Sequence, residues 1–336
     1  MPRPPRRPAP THNAVAAYIL KRLTRSLITL FLVVSAVFML LRLMPLEGYF
    51  NNYEKLTPTQ IKVGLAKLWL DRPMAVQLGH FWQDTLRGEL GVSNKYRVNY
   101  PIGKIIASKA PLSIQIGLMA VTLAFLLGMP LGILMARSAR GHSRLKIWDR
   151  FGTVVVVVIQ AVPASVYYLF IQIYGTELLG KFFPLPTLFA RDNPLTWILP
   201  VFSLSLSTMA WSAMWIRRYM ADESTKDYVL LARAKGVPAA AISRRHIFRN
   251  AFVPLVQSVP TTILLTLMGS LYVESRFSIP GMGGLLVDVI KRQDNTMVQA
   301  LVLVYSGISI VGLLLGDVAM ALLDPRVRFA GKGDAR

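Results

Sequence analysis

Six stretches of this chain are long and apolar enough to cross a lipid bilayer, and that fact constrains everything else. A spanning helix needs about 20 mostly apolar residues. Such stretches fall at about 18–44, 112–136, 151–174, 195–216, 252–272 and 297–323. In hydrocarbon every backbone polar group must find a partner within the protein, so the expectation is an all-α integral membrane protein. Composition agrees: charged residues are 16% of the 336, against about 25% in soluble domains, and mean hydropathy is +0.45. Intrinsic disorder is excluded, because it needs low hydrophobicity.

The first stretch raises the alternative of a cleaved signal peptide. No small-x-small cleavage pattern follows Arg42 and Pro45, so a retained span is expected, with Lys21, Arg22 and Arg25 snorkelling at its start. The third stretch carries Gln160, Pro163 and Gln172. It is expected to be kinked and to turn both glutamines toward a polar pore. Pro260 gives the fifth a similar option.

Lys and Arg set the orientation. With the N-terminus inside, the inner segments 1–25, 137–150, 217–250 and 324–336 hold 23 Lys/Arg in 86 residues. The outer segments 46–104, 175–195 and 272–297 hold 13 in 106, half the density. Both termini are therefore expected in the cytoplasm of a multi-pass inner-membrane protein. The net charge of +21 is explained as a topology signal. The basic residues are spread over four segments without a nucleic-acid module, so no nucleic-acid partner is expected.

The domain plan reads as a Pro/Arg-rich disordered N-terminus (1–17), a first span (18–45), an extracytoplasmic cap (46–104), a core of five spans (105–323) and a cytoplasmic tail (324–336). In the cap, Thr57 and Pro58 suit the start of a helix over 61–70 that ends at Asp71-Arg72-Pro73. Trp69, Phe81 and Trp82 favour a folded segment, one that contacts a docking protein or the delivered solute, or else braces the first two spans.

Chemistry is mostly missing. There is no cysteine, and four scattered histidines suggest no metal centre. H-E-x-x-H, G-x-S-x-G and the P-loop G-x-x-x-x-G-K-[ST] are absent. The chain is thus not expected to be an enzyme or to bind a cofactor. Met268-Gly269-Ser270 reads as small packing residues within a membrane helix, and Pro280–Gly284 as a tight turn between spans. Asp317 is the one charge well inside a span. It reads as a structural group paired with a neighbouring helix, rather than a proton relay of an ion-coupled secondary transporter, the alternative class.

The inner loop 217–250 carries the clearest local pattern. Asp222, Glu223 and Asp227 suit the N-terminus of a helical run over 228–235, Gly236 its C-terminal cap, and Pro238 the first turn of a second short helix. Ala232, Ala234 and Gly236 are small enough for another protein to approach closely. Arg244, Arg245, His246 and Arg249 crowd the second helix.

This loop resembles that of binding-protein-dependent ABC importer permeases, most closely the oligopeptide/dipeptide/nickel family, B-type subunit. The resemblance rests on Ala232-Arg233-Ala234-Lys235-Gly236, Arg245-His246, Arg249-Asn250-Ala251 and Pro254. It extends to Tyr18-Ile19-Leu20-Lys21-Arg22-Leu23, Gly88-Glu89-Leu90-Gly91-Val92-Ser93, Val273-Glu274, Pro280-Gly281-Met282-Gly283 and Leu323-Asp324-Pro325-Arg326. Leu230, Leu231 and Ala232 stand where the wider superfamily has Glu-Ala-Ala. The resemblance implies a type I importer permease fold. This chain would form half of a pore, expected to pair with a different, homologous permease. Two ATPase subunits would carry ATP and Mg²⁺, and an extracytoplasmic binding protein would deliver peptides. Nickel chelates, glutathione or peptide antibiotics are the alternative cargoes. Asp227, Ala232, Ala234, Gly236, Arg245, His246 and Asn250 would form the ATPase-coupling loop.

Overall fold

The computed structural model describes residues 12–139, 146–182 and 186–323. Helix α1 spans His12–Arg42. It begins inside the stretch 1–17 expected to be disordered, because Ala14, Ala16 and Ala17 favour helix and the last proline of the tail, Pro10, precedes it. Residues 1–11 and the tail 324–336 lie outside the described residues. At its far end the Arg42 guanidinium sits 4.8 Å from the Phe38 ring and 4.9 Å from the Tyr49 ring.

Segment 46–104 is folded. Helix α2, Pro58–Lys67, starts with a full capping box: the Thr57 hydroxyl accepts from the Gln60 amide, and the Gln60 side chain accepts from the Thr57 amide at 2.9 Å. It ends three residues earlier than expected, at a turn in which Trp69 takes φ 58°. Helix α3, Met74–Leu86, lies against the side of α1. Trp82 stacks on Phe31 and Phe81 on Phe38, with ring centres 5.1 and 5.0 Å apart, and the Trp82 indole donates to the Ser35 hydroxyl at 3.0 Å. The segment therefore braces the 31–38 stretch of the first span. A two-residue hairpin, β1 (Val92–Ser93) with β2 (Tyr100–Pro101), leads into the next helix.

Helix α4, Ile102–Ser138, has 37 residues. At 1.5 Å per residue it is about 55 Å long, well beyond the hydrocarbon thickness. It packs on α7, Ile198–Glu223, where a Cβ on Gly128 or Gly132 would lie 2.5 or 2.3 Å from the carbonyl oxygens of Met209 and Ala213. These glycines let the two helices touch backbone to backbone.

The third span is not one kinked helix. It is two, α5 (Lys146–Ala161) and α6 (Ala164–Gly180), set at 106°. Pro163 lacks an N–H and drives Val162 out of helical geometry. Helix α8, Asp227–Ala234, follows α7. Asp222 and Glu223 belong to the last turn of α7, not to the start of α8, so of the three acids only Asp227 sits on a helix N-terminus. The second short helix expected after Pro238 is also not separate. α9 (Ala239–Ala241), a π-helical stretch (Ile242–Phe248) and α10 (Arg249–Val256) run on without a break, since residues 239–253 contain neither Gly nor Pro.

The fifth span is likewise bent, by 52°, between α10 and α11 (Val259–Leu267), with Pro260 in the first turn of α11. Met268-Gly269-Ser270 does not continue the helix: Gly269 has φ 89°, and the Ser270 hydroxyl caps α12 (Leu271–Arg276). Residues 280–284 are not merely a turn, because α13 (Met282–Lys291) starts there. Helix α14, Asn295–Leu323, is the last. Among the described residues there are four unbroken span-length helices, and six spans if each bent pair counts as one.

Candidate transmission and translocation sites

Contacts sort the helix ends into two sets. At one end Arg22 of α1 meets Asp317 of α14 (Nε–Oδ2, 2.5 Å), and Asp317 also accepts from the Gln257 amide at the α10–α11 bend, 3.1 Å away. This bears out the pairing expected of Asp317. At the same end Arg217 of α7 holds Asp149 of α5 by two bonds, 2.5 and 2.9 Å, and Arg137 of α4 donates to Ser243 at 3.1 Å. Loop 217–250 lies here.

Helix α8 is held over this end by an apolar underside. Val229, Ala232, Ile242, Ile247 and Leu255 form one core with Ile216 and Met220 of α7. The Tyr228 hydroxyl ties the segment together, donating to Glu223 and accepting from the Asn250 amide at 3.0 Å. Gly236, φ 73°, closes α8: its amide donates to the Arg233 carbonyl and that of Val237 to the Ala232 carbonyl. This is a Schellman cap, which favours a left-handed residue and hence glycine.

The expected site residues divide accordingly. Asp227, Ala234 and Gly236 are exposed on α8 and its cap, and Arg245 and Asn250 on the following helix, with His246 half-buried. Ala232 is 7% exposed and belongs to the core, so no other protein can approach it directly. Leu230 and Leu231, 52% and 56% exposed, stand on the open face beside Asp227 and Ala234. Sequence reasoning noted them only as departures from Glu-Ala-Ala. The helical i, i+3 spacing of Val229 and Ala232, which sets Leu230 and Leu231 off their face, was the signal available.

The opposite end is organised by two buried carboxylates. Glu274 of α12 accepts from the Ser113 hydroxyl of α4 at 2.7 Å and from the Gly283 and Gly284 amides at the start of α13, at 2.7 and 3.2 Å. Asp294 caps α14 through the Met297 amide (3.2 Å) and grips the 93–96 turn through the Ser93 hydroxyl (2.6 Å) and the amides of Asn94, Lys95 and Tyr96. Burial alone would raise the Asp294 pKa, but the bonds from Ser93, Tyr96, Lys95 and Met297 prevail and hold it below the ordinary Asp value. Sequence reasoning missed both as site-building groups.

The two glutamines of the third span part company. Gln172 is not pore-facing: it is 5% exposed, and its amide donates to the carbonyls of Arg276 (2.9 Å) and Thr187 (3.3 Å). A polar side chain in an apolar span looks the same in sequence whether its partner is water or buried backbone. Gln160 is exposed and borders a cavity of about 510 Å³ at the α5–α6 break. Among the described residues no group of His, Asp or Glu is arranged to hold a metal ion.

This framework of spans and an α8 element has known counterparts. Residues 128–329 match the family model described as binding-protein-dependent transport system inner membrane component. The chain belongs to this family. It is 34% identical to the dipeptide transport system permease protein DppB of Lactococcus lactis over 93% of this chain and 99% of that one. It is 32% identical to the glutathione transport system permease protein GsiC of Pectobacterium atrosepticum over 93% and 99%. It is 29% identical to the oligopeptide transport system permease protein OppB of Haemophilus influenzae, with the same coverage. Among solved structures it is similar to an amino acid ABC transporter, with a TM-score of 0.47 and 18% identity over 67% of this chain and 95% of that one.

Proposed function

We propose that this permease forms half of the membrane pore of an ATP-driven importer for di- or oligopeptides. The α8 end faces the cytoplasm, as the Lys/Arg distribution favours, and the end bearing α3 and α13 receives a peptide-loaded binding protein. ATP and Mg²⁺ are held by two ATPase subunits, and the other half of the pore is a different, homologous permease. The observation that carries this reading is the open face of α8. Leu230, Leu231 and Ala234 form an apolar ridge beside Asp227, on an element whose underside is locked into the core with α7 and α10. Exposed apolar groups at such a place suit a protein partner. Peptide cargo rests on the full-length similarity to dipeptide and oligopeptide permeases. The ion-coupled alternative is disfavoured because Asp317 is occupied by Arg22 and Gln257.

The test is reconstitution of the four-subunit complex with its binding protein in proteoliposomes. Labelled dipeptide should accumulate with ATP and persist when the proton gradient is collapsed; glutathione is assayed in parallel. Leu231→Asp should release the ATPases on size-exclusion chromatography while this chain remains in the membrane. ATP-independent, gradient-driven uptake would refute the assignment.

A further inference from the structure

We infer that the cavity at the α5–α6 break is the wall of the path that touches the passing solute, and that it takes the uncharged, hydrogen-bonding backbone of a peptide without reading side-chain charge. The inference rests on the pore reading above and adds the place and chemistry of contact.

Depth is the first argument. Ser207 and Thr208 of α7 border the cavity with Gln160 of α5, Tyr167 of α6 and Thr262 of α11. Ser207 is thirteen residues from Pro194, at one end of the span, and ten from Arg217, near the other. At 1.5 Å per residue it lies about 20 and about 15 Å from those levels, in the middle of the bilayer.

Polarity is the second. At that depth a polar group facing lipid is costly, so it turns to a protein partner or to a water-filled space. Several polar side chains of these helices take the first course, although the buried hydroxyls of Ser203 and Thr261 have no partner. Gln172 donates to carbonyls, Ser205 and Ser212 bond back to Phe202 and Met209, and Gln257 bonds Asp317. Gln160 does not: it is exposed, and its amide has no hydrogen-bond partner among the described residues. Ser207, also exposed, shares one bond with the Tyr167 hydroxyl. The 106° bend at Pro163 opens this space in what would otherwise be a closed helix face. A larger cavity of about 730 Å³, lined by groups such as Met119, Phe170 and Ile198, offers a peptide almost nothing to bond.

Charge is the third. The polar lining is one amide, one phenol, three aliphatic hydroxyls and the Trp211 indole, with no Asp, Glu, Lys or Arg. Such groups donate to and accept from peptide C=O and N–H equally well, and aromatic faces accommodate varied side chains. They provide no counter-ion for either sign.

The chain's lack of cysteine makes the test direct. In the reconstituted complex, Gln160→Cys and Ser207→Cys are labelled with a membrane-impermeant thiol reagent, followed on this subunit by gel. Val158→Cys is the control: two helical residues from Gln160 place it about 200° around α5, facing away. Because the thiolate forms only where water reaches, both cavity thiols should react at least about ten-fold faster than the control, and saturating dipeptide with binding protein and ATP should slow them. Equal rates at all three positions, or no protection while uptake proceeds, would overturn the inference. In a second arm, the wild type should import Lys-containing and Asp-containing dipeptides at similar rates once binding-protein occupancy is equalised. Ser207→Asp should depress the acidic peptide by about ten-fold relative to the basic one, the scale of a like-charge contact in a water-filled path. An unchanged ratio would count against contact. A wild-type complex that imports no dipeptide would sink the cargo assignment, while the thiol rates still judge the wall on their own.

Discussion

The two ends of this permease are built on opposite plans. At the α3–α13 end, separate segments are riveted by buried carboxylates that gather backbone amides: Glu274 joins α4, α12 and α13, and Asp294 joins α14 to the 93–96 turn. At the α8 end the carboxylates Asp149 and Asp317 pair with arginines of the spans, while the α8 segment itself rests on an apolar underside and is tied by the Tyr228 hydroxyl, a glycine cap and the Arg137–Ser243 bond. A carboxylate with several donors tolerates little displacement, because each lost bond leaves a buried group unpaired. Apolar contacts are non-directional and let a packed unit shift while staying buried. On these grounds one end is expected to act as a fixed frame and the α8 segment as a displaceable unit.

This contrast can be broken in three places, from the largest expected loss of stability to the smallest. Glu274→Leu leaves the Ser113 O–H without an acceptor and orphans the Gly283 and Gly284 amides, at a cost of about 3 kcal/mol or more, so assembled complex should nearly vanish from size-exclusion profiles. Full assembly with normal transport would mean that the frame is not rigid there. Asp294→Asn should cost about 2 kcal/mol at neutral pH, read as a lower thermal midpoint in detergent. Its pH dependence sharpens the comparison. The folded carboxyl titrates below the unfolded value of about 3.9, so its contribution is complete above that pH and disappears as pH falls through the folded value. The gap between wild type and Asp294→Asn should thus be constant from pH 7 to about 5 and close under stronger acid. Gly236→Val forces a β-branched residue into a left-handed conformation, worth about 1–2 kcal/mol locally. No atom lies within 4 Å of the position a Cβ would take, so only the backbone objects. The complex should assemble, yet binding-protein-stimulated ATPase and uptake should fail, while Gly236→Asn should retain most of both. Normal transport by Gly236→Val would remove α8 from the transmission path.

Those variants also mark what sequence could and could not reveal. The spans were legible because a bilayer demands uninterrupted apolar length. The Thr57–Gln60 box and the Gly236 cap were legible because each is written in neighbouring residues. Glu274 and Asp294 were not, since the groups that satisfy them lie as far as 161 and 201 residues away and are largely backbone amides with no residue identity. The depth of the α5–α6 break was likewise hidden: a proline announces an interruption but not its angle. A helix after Pro238 was legible, but not its continuation as one unbroken element from Ala239 to Val256, because a cluster of basic residues says nothing of where a helix ends.

That continuity has a mechanical consequence. From Ala239 to Val256 the chain is one rod of eighteen residues, about 27 Å long, attached to α8 at one end and to the bend at Gln257 at the other. A rod of that length works as a lever: a tilt of about 10° about its far end sweeps the near end through about 5 Å. The π-helical stretch places one wider turn near the α8 end, while the Gln257–Asp317–Arg22 contact pins the other end to α14 and α1. Small strokes applied at α8 would then be geared into rotation of the fifth span.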